Sequence, residues 1–465
     1  MHYLLLLKHE LAATLAIVVL LVARLGRNRE TSFYIHLGYL LLLLHVFVSL
    51  FPSPEGQLFA GLFVNSPLLG LQKSFLAFGL LLIALTADRW LRQHEYVPEV
   101  FLLMISSLLG LFLLISSGSL LMFYLALELA TLPIAALCNF DLRRQQSSEA
   151  ATKMILSSAF SSAILSFGIS LLYGSTGSLR FPDIAQRLSG SDPLHVIALV
   201  LLFSGFAFKL SVVPFHLWTA DVYQGSPVPV TTYLSVVSKG AIVFIFCTAL
   251  FQVFAPLQSF GRLLLIITAV ATLLIGNLFA LRQENLKRFL AFSSIAQVGF
   301  ILVALSGGTK EAVSAAVYFV LVYLFSNVGA FAVVGIVSAA TGKETITELR
   351  GLYHSNRLLS WVLALSLFSL AGIPPTAGFF GKFFLLMAGA HSSQYALIAF
   401  AALNMVVALF YYLRVVRAIF LEPPFEGVQS LNLSTAERLA LALSVAGILI
   451  SGIYSGAYEA IAALI

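Results

Sequence analysis

The stretch FAFKLSVVPFHLWTADVYQGSPVPVTTYLSVVSKGA, residues 206–241, contains two apolar runs with one lysine each, Lys209 and Lys239, and the first run is interrupted by Pro214. A charged side chain at the centre of a bilayer costs roughly 3 kcal/mol on insertion scales, so such residues face a protein interior or a wet cavity and mark an ion route. Proline removes a helical hydrogen bond. A broken helix in lipid is tolerated only where it borders protein or water. The stretch therefore reads as the polar interior of a polytopic membrane protein.

The rest of the chain agrees. Of 465 residues, 60% are hydrophobic and 10% charged, and the mean hydropathy is +0.99, where an ordinary soluble domain carries about 25% charged residues. No sizeable soluble domain fits between the apolar runs. Alternating ten-residue strands are absent, which argues for helices over a β-barrel. Cys138 and Cys247 lie inside apolar runs without metal or redox spacing, so a disulfide framework is not expected. The N-terminal run has no small-residue cleavage site after it and reads as a retained helix.

Runs bounded by charge, Pro or Gly predict fourteen crossings, near 8–25, 34–52, 71–91, 98–117, 119–139, 149–173, 195–217, 228–252, 259–281, 288–307, 311–340, 358–388, 393–420 and 436–460. Of the 26 Lys and Arg, sixteen fall in odd-numbered loops, beginning with Arg24, Arg27 and Arg29; six, including Lys8 and Lys73, fall in even-numbered loops and at the termini. Positive residues accumulate on the cytoplasmic side, which places the odd loops there and both termini on the outer side. The other four lysines, Lys153, Lys209, Lys239 and Lys382, lie inside predicted helices. The net charge of +6 reflects this topology, and no basic run with interleaved aromatics points to nucleic acid.

Five charges stand inside apolar helices. Glu128 in LALELATLP (125–133) is either a protonated structural carboxyl or part of an ion path. Lys209 precedes Pro214 and His216; the histidine would share its helix face only if the helix were unbroken. Lys239 lies too deep to snorkel easily, and its structural alternative is a lysine held by a buried carbonyl. Lys382 in LAGIPPTAGFFGKF (370–383) follows Pro374 and Pro375, which should open the twelfth helix as Pro214 opens the seventh; nearer the helix end, it has the stronger snorkelling alternative. Lys153 is spaced for an i,i+4 ion pair with Glu149, either interfacial or in the path. Glu10, Asp88 and Glu99 read as solvated helix-end charges, and His45 as a satisfied core histidine. Burial favours the neutral form of a carboxyl or lysine and a nearby opposite charge favours the ionised form, so these residue types suit proton transfer. Phosphate loops, ligand clusters and nucleophile–base pairs are not found, so no metal or redox cofactor is expected in this chain. Lys209 and Lys382 each sit beside a proline-interrupted helix five crossings apart, which points to inverted repeats of helices four to eight and nine to thirteen.

These residues resemble the antiporter-like membrane subunits of respiratory complex I. The resemblance rests on LALELATLP, SSEAATKMILSSAFSSAILSFGISLLYGSTGSL (147–179), the opening stretch, NLKRFLAFSSIAQVGF (285–300) and LAGIPPTAGFFGKF, in that order over about 120–385. It implies fourteen helices with two inverted five-helix units and discontinuous helices seven and twelve, divided as 1–97, 98–252, 253–420 and 421–465. It implies that Glu128 and Lys209 form a glutamate–lysine pair, and that Lys153, Lys239 and Lys382 are the further lysines of a proton path. Three positions depart from the family pattern: Ser238 and Ala220 stand where proline is common, and Gln297 where related subunits often carry histidine. Glutamine orders water but takes up no proton near neutral pH, so a relay through residue 297 would be water-borne.

The resulting expectation is a proton-translocating subunit of a type-I NADH:quinone oxidoreductase in the cytoplasmic (inner) membrane of a bacterium. It would lie beside other antiporter-like subunits, with quinone, FMN and iron–sulfur clusters handled by other subunits. The alternatives are a subunit of a multi-subunit cation/proton antiporter or membrane-bound hydrogenase, or an inactive membrane scaffold.

Overall fold

The computed structural model describes residues 2–26, 29–391, 394–424, 430–454 and 456–465. Arg27, Ser393 and Ser455, which enter the topology reading above, lie outside them. The crossings are α1 (Lys8–Leu25), α2 (Thr31–Ser49), α3 (Pro67–Thr86), α4 (Val97–Ile115), α5 (Leu120–Cys138), α6 (Gln145–Thr176), α7 in two halves (Pro193–Leu210 and Leu217–Gly225), and α8 (Val228–Val253). They continue as α9 (Gln258–Leu281), α10 (Leu286–Leu305), α11 (Lys310–Thr341), α12 in two halves (Arg357–Ala371 and Ala377–Ala390), α13 (Tyr395–Leu421) and α14 (Thr435–Ile453). Among the described residues twelve helices are individually long and apolar enough to span a membrane. Helix α1 and the two shorter halves of α12 complete fourteen crossings, so the chain is a multi-pass membrane protein.

Local chemistry sets the ends. Ser66 accepts a hydrogen bond from the Leu69 backbone and Pro67 occupies the first helical position, a pairing that favours a helix start. Helix α3 thus begins earlier than the apolar run suggests. Lys73, counted above with the loop charges although the 71–91 run contains it, lies inside α3 and is fully buried. Ser119 caps α5 in the same way, and Ser434 with Glu437 forms a capping box on α14. Two short elements were not anticipated, a hairpin of β1 (Gly56–Leu58) and β2 (Phe63–Asn65), and a helix over Phe181–Arg187.

The loops sort onto two faces. Arg89 reaches Glu437 and the Asn432 carbonyl, Arg144 reaches Glu344, and Arg414 bonds the Leu281 and Gln283 carbonyls, so odd-numbered loops meet. On the opposite face Ser119 pairs with Arg180, and Gln258 bonds Gly308.

Glycine permits the tightest crossings. A Cβ at Gly110 of α4 would lie 2.5 Å from the Ala130 backbone of α5, and one at Gly276 of α9 would lie 2.7 Å from the Ala296 backbone of α10. The same contact thus recurs at one constant offset between α4–α5 and α9–α10, as expected of two related five-helix units. Gly110→Ala should cost about 1–3 kcal/mol by overpacking. Gly174→Ala, where nothing lies within 4 Å, should instead stabilise by a few tenths to about 1 kcal/mol. Thermal unfolding of the purified chain in detergent checks both.

Candidate functional site

The two helix breaks create the environment of the buried lysines. The first half of α7 ends at Leu210, and Ser211 adopts a left-handed conformation with φ 64°. Groups freed there find partners: the Trp218 indole donates to the Phe208 carbonyl at 3.0 Å, the Thr219 and Ser211 hydroxyls pair at 2.7 Å, and the Val213 amide donates to Thr272 of α9. The first half of α12 ends at Ala371, with Gly372 at φ 88°. There the Lys382 ammonium donates to the freed carbonyls of Leu370 at 2.7 Å and Ala371 at 3.3 Å. A cation at a helix C-terminus is favoured by the helix dipole. Lys382 is fully buried and does not snorkel.

Lys209 and Lys239 are also buried, at 8% and 3% exposure. Lys209 donates to the hydroxyls of Thr131 (2.6 Å) and Ser158 (3.1 Å), which join it to α5 and α6. Glu128, one turn before Thr131 and half-buried, accepts from Ser162 at 2.5 Å. Glu128 and Lys209 therefore share one pair of helices, each on a neutral hydroxyl, with no direct ion pair between them among the described residues. A cavity of about 10 Å³ lies between Thr131, Lys209 and Ser238, room for about one water. Beyond it, Lys239 follows a π-helical turn over Leu234–Ser238. Its ammonium bonds Ser294 of α10 at 2.5 Å and lies 5.5 Å above the Tyr223 ring.

Gln297 lies between Tyr412 and the carbonyl that Lys382 uses. Its amide donates to the Tyr412 hydroxyl (3.0 Å) and to the Leu370 carbonyl (2.9 Å), the acceptor that Lys382 also uses. Tyr412 in turn bonds Ser293, next to Ser294. The Gln297 Oε1 atom is buried without a hydrogen-bond partner, a position suited to a bound water.

Two predicted residues stand apart. Lys153 is 41% exposed at its side chain and is held by Glu149 (2.7 Å) and Asp221 (2.5 Å). Asp221 also binds Arg288 at 2.5 Å, so Lys153 belongs to an ion network that joins α6, α7 and α10. His216 lies beyond the break, at the N-terminal cap of the second half of α7, and makes no contact with Lys209 among those described. The sequence reading missed the hydroxyls of Thr131, Ser158, Ser162, Ser294 and Tyr412. Only Thr131 carried a signal, its one-turn spacing from Glu128. Two charges read as solvated are buried: Asp88 bonds Arg92 and Tyr39, and Glu10 bonds Lys73.

Comparison with known proteins identifies the family. Residues 117–408 match the family described as NADH:quinone oxidoreductase/Mrp antiporter, transmembrane, and the chain belongs to this family. It is 45% identical over 424 residues to NADH-quinone oxidoreductase subunit N of Phocaeicola vulgatus, covering 90% of this chain and 89% of the relative. It is 38% identical to the subunit of the same name from Moorella thermoacetica, over 82% of this chain and 80% of the relative. A chain of respiratory complex I from Thermus thermophilus superposes with a TM-score of 0.83 at 29% identity, over 96% of this chain and 97% of that one. A chain of the Mrp complex from Dietzia sp. superposes with a TM-score of 0.88 at 22% identity, over 100% and 97%, a likeness of fold.

On the face where the odd loops meet, Glu344 accepts from Lys287 at 3.2 Å and lies 3.5 Å from Arg144. Burial alone would raise its carboxyl pKa, but the Lys287 and Arg144 charges and the Ser338 hydroxyl hold it below the ordinary value. A depressed carboxyl contributes stability above its unfolded pKa, about 4.3, and loses it as the pH falls through the lower folded value. Glu344→Gln should lower stability at neutral pH by about 1–3 kcal/mol, since Lys287 loses its partner. It should also flatten the acid limb of a thermal-midpoint against pH curve.

Proposed function

We propose that this chain is the proton-translocating membrane-arm subunit of an NADH:quinone oxidoreductase in a bacterial cytoplasmic membrane, with both termini on the outer side and antiporter-like subunits as neighbours. The observation that carries this reading is the line of Glu128, Lys209, Lys239 and Lys382, each held by a neutral hydroxyl or carbonyl. An ammonium locked in an ion pair keeps its proton; one held by neutral acceptors passes it along hydrogen bonds and water. Lys153, bound by two carboxylates, would act from the edge as a fixed charge that holds the second half of α7. A cavity of about 660 Å³ at the odd-loop face reaches Thr232, about two turns before Lys239, and supports entry from that side. Conversion of quinone-reduction energy into proton movement would begin with a shift of charge near Glu128, which is half-buried and lies one helical turn from the Thr131 hydroxyl bound to Lys209. The redox centres, FMN, iron–sulfur clusters and quinone, would belong to other subunits, and this chain would bind none.

Membrane vesicles carrying Lys209→Ala or Lys239→Ala, with assembly confirmed on native gels, test the reading. Proton uptake per quinone reduced should fall by more than half, or quinone reduction should fall with it. Assembled variants that pump at the native ratio would leave the chain a scaffold, and a requirement for sodium would favour the cation/proton antiporter alternative.

A further inference from the structure

Apart from this line, α1, α2 and α3 bury a second group of ionisable side chains that the transport reading leaves unused. Lys73 of α3 donates to Glu10 of α1 at 2.5 Å; the lysine side chain is fully buried and the glutamate 7% exposed. The Lys73 ammonium also lies 4.9 Å above the ring of Phe63 in β2. Beside the pair, His9 Nδ1 and His45 Nε2 are 3.4 Å apart, and Phe112 of α4 packs against both rings. Lys8 is held by the Phe51 and Ser49 carbonyls.

Two observations, beside a general argument from ion-pair energetics, point to exchange with water. Packing alone gives little reason for the pair, because replacing a buried ion pair by apolar residues is often neutral or stabilising. Glu10 Oε2 and Gln72 Oε1 are buried without hydrogen-bond partners, and such groups call for water or a proton. Finally, a cavity of about 680 Å³ at the even-loop face is lined by Gln72 itself, with Glu55, Asn65, Arg180 and Lys310. Gln72 directly precedes Lys73 on α3 and is the member of the cavity lining nearest to the pair in sequence. Toward the centre of the protein, Leu76 packs at Gly240, next to Lys239; that contact is apolar and offers no bridge to the relay.

We propose that Glu10, Lys73, His9 and His45 form a second proton-binding site, separate from the relay, which exchanges one proton with the water of this cavity past Gln72. The proton leaves a hydronium in the cavity and forms an O–H bond at Glu10 Oε2, while Lys73 stays an ammonium bonded to Oε1; the reverse step returns it to water. His9 and His45 supply the adjoining exchangeable N–H. The site does not depend on the transport reading, because its occupancy is defined at rest.

Infrared difference spectra between two pH values, recorded on membranes containing the full chain in its native assembly, test the proposal. A carboxyl C=O band that shifts in deuterium oxide should be present, disappear in Glu10→Gln and persist in Glu128→Gln. Gln72→Leu should slow deuteration of that band several-fold. If Glu10→Gln fails to assemble, Glu10→Asp should displace the band. Spectra unchanged by Glu10→Gln, or an undisplaced band in Glu10→Asp, would overturn the site; deuteration unaffected by Gln72→Leu would overturn the route.

Discussion

Inside a bilayer no water satisfies a freed carbonyl or an isolated charge, and this constraint governs the architecture. Breaking α7 and α12 exposes backbone groups at depth, and each break is stable only because a side chain answers it. Trp218 and Thr272 do so in α7, and Lys382 in α12. At the second break the side chain that satisfies the backbone is itself a member of the line of charges. Backbone repair and placement of a buried ammonium are the same interaction there.

The partners of the lysines divide them by role. Lys153 has two carboxylates and sits in a network that ties α6 to α7 and α10. Lys209, Lys239 and Lys382 have hydroxyls and carbonyls. Pairing with a carboxylate fixes a charge in place, whereas neutral acceptors leave its proton free to be redistributed when an outside charge approaches. Glu128 is half-buried and accepts from Ser162, another neutral hydroxyl.

Much of this was legible in the sequence. The fourteen crossings follow from apolar runs longer than the bilayer requires, and the two breaks from Pro214 and the Pro374–Pro375 pair. Less legible were interactions that cross between helices. Asp221, Ser294 and Tyr412 carry no local pattern that pairs them with Lys153, Lys239 and Gln297. The misplacement of Lys73 has a different cause: its charge alone assigns it to the loops, although it falls inside the 71–91 run, and the Ser66–Pro67 cap sets it a further turn into α3. Counting Lys73 with the loop charges hides a buried partner of Glu10, and with it the cluster of α1, α2 and α3.

If the buried charges act as one connected line, Gln297, which bonds both Tyr412 and the Leu370 carbonyl that Lys382 shares, is a link whose loss interrupts it. The most direct test is proton uptake per quinone reduced in vesicles carrying Gln297→Leu, which keeps every lysine and removes only the amide. A connected line predicts that uptake collapses in the fully assembled variant and recovers in Gln297→His. Native uptake in Gln297→Leu would contradict it.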